Sequence, residues 1–173
     1  DTTTRQDYLL FGSTQGLLHV VDKDGKEVFA FVPNEMMDST SQREAFRVTT
    51  ASTAGSNNLF YGVDAPWAAY TQYVANADGS LTVGQSDRST TDNIIKGKQW
   101  VYGGLRMSGE SYYGLDVLDP KTPKLLFRVG SDQADFSRMG QSWSKPVLTN
   151  IRYNNKITRV MIVGGGYDQC YEN

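Results

Sequence analysis

The chain has 173 residues, 39% of them hydrophobic and 21% charged, with 17 Lys and Arg set against 19 Asp and Glu for a formal charge of −2. No basic block offers a footprint for nucleic acid, and no apolar run reaches the roughly 18 residues that a membrane-spanning helix needs. Seventeen glycines, ten tyrosines and only five prolines, spread among short apolar runs, favour short strands joined by tight turns. Asp1 opens the chain without a methionine or a signal peptide, the pattern of an excised fragment.

The first periodic unit runs from Tyr8 to Ser13 as a buried strand, turns at Thr14-Gln15-Gly16, and continues as a second strand from Leu17 to Asp22. A turn over Asp22–Gly25, with Gly25 free to take positive φ, leads to a third strand from Glu27 to Val32, which Pro33 stops. From Asp38 to Thr50 the pattern allows a short helix capped by Ser39 or Thr40. Leu59 to Asp64 and Ala69 to Val74 read as strands, and Ala77-Asp78-Gly79-Ser80 as a hairpin turn into Leu81-Thr82-Val83. Gly84 to Asn93 reads as a polar surface loop. The first unit's grammar then returns: strands over Gln99 to Leu105, Tyr112 to Leu118 and Lys124 to Val129, with turns between them. Arg159 to Gly164 matches the opening strand once more. The glycine closing that strand recurs at Gly12, Gly103 and Gly164, farther apart than the about 40–50 residues of one propeller blade. These features describe a single mainly β segment over residues 1–173; a β-sandwich gives the same local signals, but the recurring unit favours an incomplete β-propeller of antiparallel meander blades with loop insertions. Its blade-like repeats cover about 8–32 and 99–129, a third starts at about 159, and residues 34–98 are rich in insertions. The final blade is expected to lack most of its strands.

His19 is the sole histidine. It sits between Leu18 and Val20 with no Ser or Cys motif beside it, so no base–nucleophile pair assembles. It reads as a polar position on a pleated strand, matched by Tyr113 in the second unit. Asp22, Asp24 and Glu27 place oxygen ligands at alternate positions beside a glycine, as part of a calcium loop does. Lys26 occupies the third ligand position, so the run reads as an Asp-Gly hairpin turn, and these three residues are the metal candidates. Asp116 and Asp119 read as turn residues in the same way. Asp64 and Trp67, in Asp64-Ala65-Pro66-Trp67, are the binding candidates: a carboxylate capping the turn before Pro66 and a large apolar anchor on an exposed face or at a structural corner. Trp100 and Trp143 are expected to fill core layers between blades. Gly164-Gly165-Gly166 lacks the lysine of a phosphate loop and reads as a strand end where another backbone passes close. Tyr61, Tyr70, Tyr73, Tyr112 and Tyr113 offer a sticky aromatic surface, with alternate positions such as Tyr112 reading as core. Cys170 is the only cysteine, either a buried thiol or half of a disulfide to a partner elsewhere.

Seven stretches in order resemble the C-terminal propeller of the PilC/PilY family, the tip-associated adhesins of bacterial type IV pili. They are Phe11 to Asp22, Gly25 to Pro33, Tyr61 to Pro66, Trp100 to Leu105, Tyr112 to Asp119, Gly140 to Pro146 and Gly164 to Asp168. The resemblance spans nearly the whole chain but only part of the longer family domain. It implies a propeller shaped like that of quinoprotein dehydrogenases without their activity. It also implies a role in pilus assembly, retraction control and host-cell adhesion, with minor pilins, the pilus machinery and a host-cell receptor as partners. The implied location is the bacterial surface, at the pilus tip or outer membrane, reached through the periplasm. The family's calcium loop has no counterpart here, so calcium is an expectation for a full-length protein and for no residue of this segment.

Two other functions share these local signals. A quinone-cofactor dehydrogenase needs a metal-bound cofactor and often adjacent cysteines, neither of which the sequence offers. An envelope scaffold propeller that only docks proteins needs shaped surfaces alone. The segment is therefore expected to be a catalytically inert module with no cofactor of its own.

Overall fold

The computed structural model describes residues 5–46 and 60–168. Strands β1 (Tyr8–Gly12), β2 (Leu18–Asp22) and β3 (Glu27–Phe31) form an antiparallel meander. Its turns are built where the sequence puts them. Gly16 (φ 94) donates to the Ser13 carbonyl at 3.0 Å. The Asp22 carboxylate accepts the N–H groups of Asp24 (3.0 Å) and Lys26 (2.9 Å), bending the chain at Gly25 (φ 78). Pro33, which lacks an N–H for the ladder, ends β3 and opens helix α1 (Asn34–Asp38). Helix α2 (Thr40–Arg43) follows, with the Ser39 hydroxyl accepting the Gln42 N–H at 3.4 Å, and a 3₁₀ turn runs over Glu44–Phe46. The remainder of the helix expected up to Thr50 lies outside the described residues.

The second sheet has four antiparallel strands in the order β4 (Trp67–Gln72), β7 (Lys98–Gly104), β8 (Ser111–Asp116), β9 (Lys124–Gly130). A small hairpin of β5 (Val74–Ala75) and β6 (Leu81–Thr82) is inserted between the first two. The loop after this hairpin is less free than its polarity suggests. Ser86 is buried, and its hydroxyl donates to the Ala75 carbonyl at 2.8 Å. Tyr70, Trp100, Tyr102 and Phe127 form a chain of ring contacts across the sheet, with centroids 5.7, 6.3 and 6.0 Å apart. Trp100 thus lies on the sheet's own aromatic ladder, with Lys98 over its ring at 4.5 Å.

Four expectations need correction. Strand β1, expected to be buried, leaves Tyr8, Leu9 and Phe11 exposed. The strand expected up to Asp64 is absent from its described part, residues 60–64, which is an irregular crossing segment. The strand expected over Ala69–Val74 instead covers Trp67–Gln72, followed by β5. The strand expected from Arg159 is β11 (Lys156–Ile162), which pairs along its whole length with β10 (Val147–Tyr153). Asn154 (φ 48) and Asn155 (φ 59) make the left-handed two-residue turn between them, a hairpin signal that asparagines supply.

Strand β10 stands beside β11 as β4 stands beside β7; Gly12 ends β1, Gly103 is the last residue but one of β7, and Gly164 lies two residues past β11. The first two sheets and α1 share one core: Leu18, Met36, Val63, Val101, Leu105, Tyr113 and Leu115, flanked by Phe31, Phe46 and Trp67. Each fully buried side chain of this size contributes about 1.5–3 kcal/mol. The β10–β11 hairpin is poorer in cover: Val147, Ile151, Ile157 and Ile162 are all exposed, Ile157 by 82%.

The segments entering β4 and β10 cross the preceding sheet in the same way. Val63 donates to the Ser13 carbonyl at 3.0 Å, and its own carbonyl lies where a Gly12 side chain would be. Ser142 donates to the Gly109 carbonyl at 3.0 Å and crowds Gly104. Gly12→Ala should therefore lower stability by about 2–3 kcal/mol, because backbone must move. Gly25→Ala, with open space around it, should cost only about 1 kcal/mol from its positive φ. Urea melts of the two variants check this order, and equal midpoints would disprove the crossing contact.

Candidate functional site

Two clusters of polar and aromatic groups join the sheets. The inner one is centred on Glu35 of α1. Ser111 and Tyr113, two residues apart on β8 and so on one face, both donate to its carboxylate. Arg128, the cross-strand neighbour of Tyr113 on β9, donates to the same carboxylate from Nη2 at 2.8 Å and Nε at 3.2 Å. Arg128 also holds Asp132 with two contacts of 2.9 Å, and the Asn34 N–H donates to the Tyr113 hydroxyl at 3.1 Å. Burial pushes the Glu35 carboxyl up, but the hydrogen bonds from Ser111, Tyr113 and Arg128 outweigh it and hold it below its ordinary 4.5. Burial and the neighbouring carboxylate push the Tyr113 phenol far above its usual range. Nothing in this cluster is poised to exchange a proton near neutrality. It is a brace between α1 and the second sheet.

The outer cluster lies where the crossing segments meet the turn after β7. Arg106 there adopts a left-handed φ of 55, unusual for a residue with a side chain. Its N–H donates to the Ser142 carbonyl at 3.2 Å, while the Leu105 N–H donates to the Ser142 hydroxyl at 2.7 Å. The guanidinium lies 4.4 Å over the Trp143 ring and 3.8 Å from an Asp64 oxygen. The Trp143 indole N–H is fixed by the Gln141 side chain at 3.1 Å, and Tyr167 packs beside it at 6.1 Å. The crossing segment is held on its other flank as well: Gln141 and Tyr167 exchange backbone hydrogen bonds of 2.8 and 3.0 Å. Burial pushes the Asp64 carboxyl up, and the charge of Arg106 pulls against it.

Of the two binding candidates, Asp64 stands beside Arg106, and Trp67 does not join that cluster. Trp67 turns to the other side, against Gly103 and 6.5 Å from Phe31. There it lines a pocket of about 360 Å³ with Leu10, Phe11, Gly12, Leu18, Ala65, Pro66 and Ala69. Trp143, expected in the core, is instead 38% exposed. Arg106 carried no sequence signal, because its importance rests on a backbone angle and on two segments far away in the chain.

The metal candidates do not converge. Asp22 caps its own turn, Asp24 pairs with Lys23 at 2.8 Å, and Glu27 pairs with His19 Nδ1 at 2.6 Å. Among the described residues no three His, Cys, Asp or Glu side chains gather as a metal site would require. Asp116 and Asp119 accept backbone N–H groups of Leu118 and Lys121, each at 3.0 Å, in their own turns. His19 differs from expectation, because a serine does reach it: Ser13 Oγ lies 3.2 Å from Nε2. That hydroxyl is already engaged by the Leu17 carbonyl at 3.2 Å and its N–H at 3.4 Å. The Ser13–His19–Glu27 chain is therefore a clasp across the first meander, with Phe11 stacked on His19 at 5.1 Å. Of the tyrosines, Tyr112 and Tyr113 are core, while Tyr73 is exposed. At the triple glycine another backbone does pass close: Gly140 donates to Gly165 at 3.0 Å, and a side chain on Gly166 would meet Gly140. Cys170 lies outside the described residues.

Meander sheets set side by side and stitched by crossing segments define a mainly β, antiparallel modular protein. No family model matches the chain. It is 29% identical over 167 residues, 95% of its length, to the type IV pilus biogenesis factor PilY1 of Pseudomonas aeruginosa strains PAO1 and PAK. It is 27% identical over 167 residues to a PilY1 homolog of Xylella fastidiosa. The crystal structure of the Pseudomonas aeruginosa PilY1 C-terminal domain superposes with a TM-score of 0.60 at 25% identity, over 95% of this chain and 25% of that one. The chain is thus homologous to the C-terminal region of PilY1. It spans only 12% of the Pseudomonas proteins' length.

The Glu35 brace makes a prediction about stability. Glu35→Gln should cost about 2 kcal/mol at pH 7, the scale of hydrogen bonds to a charged group. Because the folded carboxyl sits below its ordinary 4.5, its contribution is complete above that pH and is lost as pH falls through the lowered value. Urea melts from pH 7 to pH 3 should show the gap between wild type and variant narrowing below pH 4.5. A gap that stays constant would exclude the ionised carboxylate as its source.

Proposed function

We propose that this chain is a non-enzymatic module of a type IV pilus biogenesis factor, serving pilus assembly, retraction control and attachment to host cells. The observation that supports this best is the homology to PilY1, which covers 95% of the chain and both of its larger sheets. The relatives are named biogenesis factors, not enzymes. On this reading the module acts at the bacterial surface, on the pilus tip or outer membrane, after export through the periplasm. Its partners are minor pilins, the pilus machinery and a host-cell receptor. Calcium, where the full-length protein uses it, is held outside this segment.

The same reading makes the chain an arc of a propeller shaped like that of the quinoprotein dehydrogenases. Strands β4, β7, β8 and β9 are one blade, β1–β3 belong to the blade before it, and β10–β11 open the blade after it. The exposed apolar residues of the hairpin then pack against a neighbouring sheet of the longer polypeptide, since burying them there removes their exposure to water.

An in-frame deletion of this segment from its parent gene is expected to reduce sheared surface pili, twitching motility and attachment to epithelial cells together. Normal piliation and motility with stable mutant protein would refute the biogenesis role. For the architecture, the segment extended through the sequence that follows it should melt higher and scatter less light than the 173-residue chain. Identical melting and scattering would count against the blade arrangement.

A further inference from the structure

Arg106 is half-exposed, with 43% of its side chain open to solvent, and it makes no hydrogen bond to any described side chain. Asp64, its nearest carboxylate, stands at 3.8 Å, beyond hydrogen-bond reach. The planar fork of donors is nonetheless held still. Trp143 covers one face at 4.4 Å, Gln141 fixes the indole, and the backbone beneath is bonded to Ser142 in a left-handed turn. A strained residue kept in place by a backbone bond and a ring from one distant segment is a setting in which recognition groups occur. A guanidinium stacked on an aromatic ring, with its nearest carboxylate no closer than 3.8 Å, keeps donors for a second carboxylate, which it grips with two parallel bonds.

We propose that Arg106, stacked on Trp143 and flanked by Asp64, is a docking point for a side-chain carboxylate on an acidic peptide segment of a protein partner. This rests on the reading of the chain as a contact module, and it names the chemistry of one contact. A peptide fits better than a sugar, because a sugar ring stacks on an open aromatic face and Arg106 covers the Trp143 face turned to this site. A carboxylate fits better than a phosphate. Asp64 beside the single guanidinium leaves little net positive charge for a doubly charged group.

The test uses the full-length protein that carries this chain and biolayer interferometry on immobilised capped Gly/Ser peptides containing glutamate or glutamine. The glutamate peptide is expected to bind, more weakly as sodium chloride rises, and the glutamine peptide is not. Arg106→Gly should weaken binding roughly ten-fold or more, the loss of a charged hydrogen-bond pair. It should change the melting temperature little, because the ease with which glycine adopts φ 55 offsets the loss of the Trp143 stack and of the 3.8 Å pair with Asp64. Arg106→Lys should also weaken binding, since an ammonium keeps the charge and loses the fork. No binding of the glutamate peptide at millimolar concentration would overturn the proposal. So would equal binding of the glutamine peptide, or an Arg106→Gly protein that binds like wild type. Free glucuronate competing as well as the peptide would overturn the peptide assignment. Failed peptide binding with pili still dependent on the segment removes this inference alone. Intact peptide binding in a protein dispensable for pili removes the pilus reading alone.

Discussion

The contact on which the rest of the molecule depends is the passage of a backbone over a glycine. Val63 lies against the bare Cα of Gly12, and Ser142 against that of Gly104. A methyl group at either place would hold two segments apart. With hydrogen there, each crossing segment settles close enough to bond with the turn beneath it. Sheets that touch only through side chains could slide. Sheets stitched by backbone hydrogen bonds at the end of each unit hold one register, and the shared core of Leu18, Met36, Val101 and Leu105 fills the space that this register defines.

The two clusters at the junctions follow from the same stitching and differ in character. Glu35 is surrounded by donors and has spent its hydrogen-bonding capacity internally. Arg106 has its backbone N–H bonded to Ser142, while its side chain is held by the Trp143 ring and a 3.8 Å ion pair with Asp64 and makes no hydrogen bond to a described side chain. The first arrangement fixes α1 on the second sheet, and the second leaves a charged group displayed on a rigid base.

How much of this could be read beforehand depended on the range of the interaction. The meanders over 8–31 and 98–130 were readable because their cause is local: alternating apolar residues, Gly16 and Gly25 in turns, Pro33 as a stop. The pairing of β10 with β11 is also local, but it is written in Asn154-Asn155, a left-handed turn with neither glycine nor proline to mark it. The outer strand β4 was harder, because its partner β7 follows only after an inserted hairpin. For the site, Asp64 was visible as an acidic residue before a proline. Arg106 and Trp143 meet only when residues 105–109 and 140–143 are brought together, and no local pattern announces that. His19 shows the same limit: its contact with Ser13 crosses a turn whose geometry decides it.

The left-handed backbone at Arg106 has a genetic corollary. Every arginine codon becomes a glycine codon through one change at its first base, and glycine is the residue that this φ tolerates best. The cation could thus vanish from a lineage in a single mutational step that leaves the crossing segment seated and the sheets in register. Its retention or loss among related strains would then chiefly record selection on what the guanidinium touches, since the fold gives up only the Trp143 stack and a 3.8 Å pair with Asp64.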